Sequence, residues 1–436
     1  MNHPNQSVKP PIKDILITLQ EHDTFEVLSE GWDSSLASCP ATQLPFLSSE
    51  SILENLLFCG LDASHLSELH ATAQTIDKST PLRLLAWHLH QSLYHATEKN
   101  LFEQKAWPAL RHSLAEPSGH FYLLVALALV PQVKLQHKTL GVSLKVSRDT
   151  CKAVQGFCLN YMKGHEGRLG IFIKQIYWLQ RHARGELFRL GRLEYYLTHF
   201  DKTYSGGCEV YRHRHTGRVQ VLAHAGAAFD KDGRAYASAN APEVTWTAQF
   251  EAGDDHITGN AIDPDGTAHP TQVTLSTCNW KQELNPTDWV LSMHIPSGGR
   301  LTPDLFKDSM QRAFTFFDQH FHEQPVNAVI CESWIFGDML EAILPSTTNL
   351  VCNIYETYRW ATNHTNSYDN LWFIFCQADG DFCPQSAIAN SRLEKTALAH
   401  VRSGGAWRNG SIFFLRDDLP TFGTQHYRKT DAPVTL

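Results

Sequence analysis

The stretch Asp288–Trp334, DWVLSMHIPSGGRLTPDLFKDSMQRAFTFFDQHFHEQPVNAVICESW, constrains the fold more than any other. It reads as a strand ending at His294, a glycine-rich turn over 295–301, a helix over Pro303–Phe321, and a strand over Val326–Cys331. The helix carries Phe306, Met310, Ala313, Phe314, Phe317 and Phe321 at helical spacing, so one face is apolar throughout. Thr302 is placed to cap it, and Pro303 occupies its first position, where a missing N–H costs nothing. In the turn, Ile295, Ser297, Gly298, Gly299, Arg300 and Thr302 are the candidate ligand-binding residues. Two adjacent glycines let backbone approach a ligand closely and turn its amides inward, and a helix N-terminus adds partial positive charge. Arg300 can add an ion pair. Together these features describe a phosphate cradle, although Gly-Gly before a helix also serves as an ordinary turn. The spacing is neither Gly-x-x-x-x-Gly-Lys-Ser/Thr nor Gly-x-Gly-x-x-Gly, which excludes a nucleotide P-loop and the dinucleotide fingerprint.

The rest of the chain changes character near residue 185. Before it, glycine is sparse and apolar residues recur at three and four, as in Ser49–Cys59 with Ile52, Leu53, Leu56 and Leu57. Further helices are expected over Pro11–Leu19, after Asp62 as N-cap, from Thr80-Pro81, and over Arg148–Met162; Gly170–Gln180 reads as helix or strand. After Glu186, short alternating runs are separated by Asp230–Gly233, Asp263–Gly266 and Asn285–Pro286. Strands are expected at Phe188–Leu197, Cys208–His213, Arg218–Ala223, Glu243–Phe250, Gln272–Ser276, Leu350–Tyr355, Leu371–Cys376 and Ser411–Leu415. Helices are expected at Met339–Leu344 and Arg392–Arg402. The fold class is α+β: a helical domain over 1–185, then a mixed β-sheet domain flanked by helices over 186–436.

Composition narrows the function. There are 37 Lys and Arg against 45 Asp and Glu, a net charge of −8, which argues against general nucleic-acid binding. The longest apolar run, Phe121–Val130, is about half what a bilayer-spanning helix needs and reads as a buried helix. The N-terminus has no continuous apolar core of the signal-peptide type. The ten cysteines show no zinc-knuckle spacing, so free thiols and a cytoplasmic location are expected. His213 and His215 lie two apart, but no Cys or carboxylate accompanies them at ligand spacing, and no His-Glu-x-x-His occurs; no metal is expected. Asp230-Lys-Asp-Gly lacks the later calcium ligands and reads as a hairpin turn.

Strand, glycine loop, helix, strand resembles the core of the GNAT acetyltransferase fold. More narrowly, Leu187-Phe-Arg-Leu-Gly-Arg-Leu193, His294-Ile-Pro-Ser-Gly-Gly-Arg-Leu-Thr-Pro303, Cys331-Glu-Ser-Trp334 and Leu344-Pro-Ser-Thr-Thr-Asn349 resemble a two-domain acyltransferase family with a helical N-terminal and a GNAT-like C-terminal domain. That family includes N-acyltransferases of glycopeptide antibiotics. The resemblance implies acyl-coenzyme A as co-substrate, a small amine as acceptor, and a pantetheine arm inserted between two parallel strands that splay apart. These would be Asp288–His294 and Val326–Cys331. The usual Arg/Gln-x-x-Gly-x-Gly/Ala signature is absent, which keeps open a second reading, a catalytically degenerate GNAT-fold binding or scaffold protein.

Amine acylation needs a positioned thioester, a base for the ammonium, and a donor for the oxyanion. The resemblance implies a histidine base, and His294 at the end of the first strand is the one expected, since an imidazole exchanges protons near neutral pH; the alternative is a histidine that only hydrogen-bonds within the strand end. Glu332 ends the second strand and can orient the acceptor or act as a second base. Trp246 and Trp334 are candidate substrate-binding residues, with core packing the default reading of both. Ser333 and Tyr355 are candidate proton donors to the leaving thiolate. Cys331 lacks a paired base and reads as a buried thiol.

Overall fold

Serine caps set where the front helices begin. The hydroxyls of Ser48, Ser79 and Ser143 accept from the amides of Ser51, Leu82 and Val146 at 3.2, 3.5 and 3.4 Å. They start the helices Ser49–Phe58, Thr80–Tyr94 and Leu144–Gly164 (α1). Asp62 also caps, accepting from Ser64 N at 2.8 Å, but it starts a 3-10 turn, Ala63–His65, that leads into the helix Leu66–Lys78. The computed structural model describes residues 10–21, 24–95, 107–115, 118–201, 208–361, 365–377 and 382–429; the first residues of the N-terminal segment lie outside them. The chain divides into two units, Met1–Arg189 with Pro296–Gly298, and Leu190–Ile295 with Gly299–Leu436.

In the first unit every residue of Phe121–Val130 is at most 1% exposed. The run spans the end of the helix Ser118–Leu127 and the start of Leu129–Thr139, and forms the centre of the core. Each such aliphatic or aromatic side chain stabilises the fold by about 1.5–3 kcal/mol relative to exposure. Ser118–Thr139 is long and apolar enough to cross a membrane, yet 67% of its apolar window is buried within the protein. The ambiguous stretch Gly170–Gln180 forms helical turns, Ile173–Ile176 and the start of Leu179–Ala183.

A six-stranded sheet, all but the first two residues of which belong to the second unit, follows. Its strands are β1 (Phe188–Leu190), β2 (Leu193–His199), β3 (Trp289–His294), β4 (Val326–Ser333), β5 (Tyr358–Arg359) and β6 (Gly410–Leu415). The spatial order is β1-β2-β3-β4-β6-β5. β3 and β4 pair in parallel, and the helix Pro303–His320 (α2) makes the crossover between them, as a parallel pair requires. β2 pairs antiparallel with β3, and β6 antiparallel with β4 and β5. The phenol of Tyr195 donates to Ser309 Oγ on α2 at 3.2 Å. The sheet face that carries Tyr195 and, by register, Met293 therefore lies against α2. Glu194, Tyr196, Ser292, His294, Ile330 and Glu332 alternate onto the opposite face.

A second sheet runs Ala268–Ser276, His256–Ile262, Val219–Ala223, Cys208–His213, Trp280–Leu284, with Phe250–Ala252 also on His256–Ile262. Three short strands, Ala235–Tyr236, Ala228–Phe229 and Trp246–Thr247, form a third. Four strand expectations are corrected. Leu350–Tyr355 is the helix Asn349–Tyr355, and Leu371–Cys376 is a 3-10 turn followed by the helical turn Trp372–Phe375. An apolar run of six residues fits a helical turn as well as a strand, and Pro345 through Asn349 supplies a helix start. Phe188–Leu197 breaks into β1 and β2 at Gly191, whose φ of +80° suits glycine. Glu243–Phe250 breaks because its two ends join different sheets.

Candidate active site

The two parallel strands separate at their carboxyl ends. β3 and β4 are paired from Trp289↔Val326 to Ser292↔Ile330 and no further. Beyond that point Met293 and His294 stay paired with Tyr195 and Glu194 of β2. Cys331, Glu332 and Ser333 stay paired with Ile412, Ser411 and Gly410 of β6. Each strand thus keeps its outer partner while the middle of the sheet opens. The carboxyl ends of parallel strands are where open α/β sheets take ligands.

His294 forms one wall of this opening. It is half-buried, its ring stacks on Tyr196 at 5.3 Å and 15°, and its Nε2 lies 3.4 Å from Ser292 Oγ. Glu332 forms the other wall on the same face. It is solvent-exposed, and Asn409 Nδ2 donates to its Oε1 at 3.5 Å. Ser333 Oγ is engaged in accepting from Ile335 N at 3.3 Å, which caps the turn Trp334–Phe336. Cys331 is buried; burial and the charge of Glu332 both push its thiol up, which makes it a poor nucleophile.

The loop after β3 faces water. Ile295 and Ser297 are half-buried, whereas Gly298, Gly299 and Arg300 are exposed. Gly298 and Gly299 have φ of +87° and +75°, a conformation that disfavours any side chain. The amides of Gly298, Gly299, Arg300, Leu301 and Thr302 donate to no group among the described residues. Thr302 Oγ1 accepts from Leu305 N at 3.3 Å and caps α2, and Asn353 Nδ2 holds Leu301 O at 2.9 Å. A run of unpaired amides ending at the N-terminus of an 18-residue helix fits a diphosphate.

The remaining candidates lie elsewhere in the unit. Trp246 belongs to the three-stranded sheet, where it stacks on Phe229 at 4.5 Å and donates from Nε1 to Asp230 O at 3.0 Å. Trp334 follows Glu332 and lies 5.9 Å from the Trp407 ring. Tyr355 ends its helix beneath the Arg428 guanidinium, 4.5 Å away. No three His, Cys, Asp or Glu side chains among the described residues converge as metal ligands. Tyr196, Ser292, Glu194 and Arg192 were not singled out from the sequence, although the alternation of β2 and β3 would have placed the first three beside His294.

A helical domain, then a sheet whose central parallel strands part beside an amide-rich loop, defines an acyltransferase of the GNAT-like class. Residues 187–414 match the family model of the GNAT-like C-terminal domain, and residues 50–185 match that of the N-acyltransferase N-terminal domain. The chain belongs to the GNAT-like C-terminal domain family, with the N-acyltransferase N-terminal domain in front. No curated protein matches it. Among solved structures it is similar to an acyltransferase in complex with decanoyl-CoA and teicoplanin, with a TM-score of 0.62 and 19% identity over 93% of this chain and 99% of that one. It is equally similar to an acyltransferase with CoA and 10C-teicoplanin, at a TM-score of 0.61, 19% identity and the same coverage. A mutant acyltransferase in complex with octanoyl-CoA has a TM-score of 0.62 and 18% identity, again over 93% and 99%. At such identities these likenesses speak to the fold.

Proposed function

We propose that the chain transfers an acyl group from acyl-coenzyme A to an amine of a small molecule or natural product, by direct attack on the thioester. The parting of β3 from β4 after Ser292 and Ile330 carries this reading, because it leaves a slot in the sheet for a pantetheine arm. The amides of Gly298–Thr302 bind the diphosphate, and Arg300 adds positive charge beside it. His294 takes a proton from the acceptor's ammonium group, which frees the nitrogen lone pair to attack the thioester carbonyl carbon. The carbonyl oxygen becomes an oxyanion, collapse breaks the C–S bond, and the leaving thiolate takes up the second proton, which the acylated nitrogen sheds. Glu332, exposed on the same sheet face, orients the cationic acceptor. That the structural neighbours were crystallised with acyl-CoA and teicoplanin supports this donor and this kind of acceptor.

The test is incubation with acyl-CoAs of graded chain length and an amine, with detection of released thiol. His294→Ala is expected to lower turnover by about 10²–10⁴-fold, as loss of a general base does, while calorimetry shows coenzyme A still bound. Undiminished turnover in His294→Ala removes that residue from the mechanism. No coenzyme A binding by the wild type, at any acyl length, removes the reading itself.

A further inference from the structure

The turn between β1 and β2 brings a second arginine to the glycine loop. Gly191 makes the turn, and Arg192, half-buried, follows it. Arg192 Nε donates to Arg300 O at 3.3 Å, and Nη2 donates to Gly299 O at 3.4 Å. The described backbone has no cis peptide. In a trans peptide the carbonyl and the following N–H point in opposite directions across one plane. Drawing the Gly299 and Arg300 carbonyls toward the guanidinium therefore turns the Arg300 and Leu301 amides away from it. Those are two of the amides that donate to no described group.

We infer that Arg192 is the positioning residue of the phosphate loop: it fixes the direction of the Arg300 and Leu301 amides and keeps a positive charge behind them, so that the site selects thioester donors bearing a diphosphate. This rests on the acyl-CoA reading above. The residue type matters. A guanidinium is a planar fork that stays charged at all working pH values, and it reaches two successive carbonyls at once. A lysine ammonium keeps the charge but lacks the fork. The loop's other supports, Thr302 at the helix cap and Asn353 on Leu301 O, lie past its glycines, so the Gly299–Arg300 peptide depends on Arg192. Asp308, which lies beside Gly191 in this turn, is paired with Arg312 at 2.7 Å.

The experiment compares the full-length wild type with Arg192→Ala and Arg192→Lys, using acyl-CoA and the matching acyl-pantetheine, which has the same thioester but no nucleotide diphosphate. Arg192→Ala is expected to raise KM for acyl-CoA about tenfold or more, the equivalent of one charge-assisted contact, with kcat within about twofold. KM for acyl-pantetheine should not move. Arg192→Lys should recover part of the acyl-CoA affinity. A second readout needs no donor: trypsin cleavage after Arg300, whose carbonyl Arg192 holds, should be faster by about tenfold in both variants. Equal losses toward both donors, or unchanged KM and unchanged cleavage, overturn the inference. If the wild type binds no coenzyme A, the acyl-CoA reading and the donor-selecting role fall together, and the cleavage rate alone decides whether Arg192 holds the loop.

Discussion

The two units of this chain bury polar groups in opposite ways. The helical unit buries neutral imidazoles. His88, 1% exposed, places Nδ1 2.9 Å from Ser35 Oγ and meets the Trp32 ring edge-on at 5.1 Å. His90 is stacked between Phe46 at 5.0 Å and Trp87 at 5.2 Å. Burial lowers their pKa values to about 4 and about 3. The sheet unit instead buries charge in pairs. Arg212 donates to both oxygens of Asp418 at 2.9 Å and to Glu283 at 2.9 Å, and Tyr427 adds a bond to Asp418 at 2.8 Å. Arg359 and Arg428 share Glu341, at 2.6 Å and at 2.8 and 3.0 Å. The helices satisfy their own backbone and need only apolar contact. The sheet's long returns, such as 416–428, have few ladder bonds and are tied down by ions.

The largest expected effect breaks one such tie. Asp418→Ala strips Arg212 and Tyr427 of their common acceptor in a site where Asp418 is 4% exposed. Removing one partner of a buried pair costs about 3–5 kcal/mol. Hydrogen exchange should accelerate in Cys208–His213 and Gly410–Leu415 and stay unchanged in Thr80–Tyr94. If the helical unit loosens equally, the two units do not store their stability separately. The double replacement Arg212→Met with Asp418→Leu should recover part of the loss, since Asp418 leaves no charge behind and Glu283 keeps its pair with Lys281 at 3.0 Å.

Acid should strike the other unit. His88 and His90 have folded pKa values below the ordinary imidazole value of about 6.5, so the unfolded chain binds protons more readily. Their contribution is intact above about pH 6.5, is lost as pH falls below it, and levels off near the folded values. At pH 5 each should cost the helical unit about 2 kcal/mol. The check is urea unfolding of the wild type and of His90→Phe at pH 7.5 and pH 5. The substitution should gain about 2 kcal/mol relative to wild type on going to pH 5. An identical difference at both pH values would mean that His90 does not carry the acid sensitivity.

The same contrast explains what could be read from the chain beforehand. Helices with one apolar stripe and a capping residue, such as Pro303–His320 behind Thr302, follow from local rules, and the structure has them. The strand-loop-helix-strand unit, and with it the positions of His294 and Glu332, was equally legible. The missed strand His256–Ile262 carries Gly259 and Asn260, poor strand formers. Asn260 is there because its side chain spans a bulge, donating to His269 O and Pro270 O and accepting from Gln249 N. That requirement is tertiary and invisible in a window of neighbours. Arg192 was overlooked for a similar reason, since its partners lie 107 and 108 residues away in sequence.

The smallest effect tests whether the contrast extends to local structure. Ser391 opens the helix Arg392–Arg402 with a full capping box: its hydroxyl accepts from Glu394 N at 3.2 Å, and Glu394 Oε2 accepts from Ser391 N at 2.8 Å. The same Oε2 also accepts from Asn390 N at 2.6 Å. Ser48 in the helical unit has only the forward bond, to Ser51 N, together with a hydroxyl contact to Ser51 Oγ at 2.9 Å. Replacing either serine by alanine removes one acceptor from a helix end, at a cost of about 1 kcal/mol. Thermal shifts of Ser48→Ala and Ser391→Ala should therefore agree closely, because the Glu394 half of the box survives the loss of the Ser391 hydroxyl. Glu394→Ala should cost more than Ser391→Ala, since it leaves two amides without their acceptor where Glu394 is 4% exposed. A larger loss from Ser391→Ala than from Glu394→Ala would mean that the serine, and not the buried carboxylate, holds this helix end, and the sheet unit's reliance on buried charge would stop short of its helices.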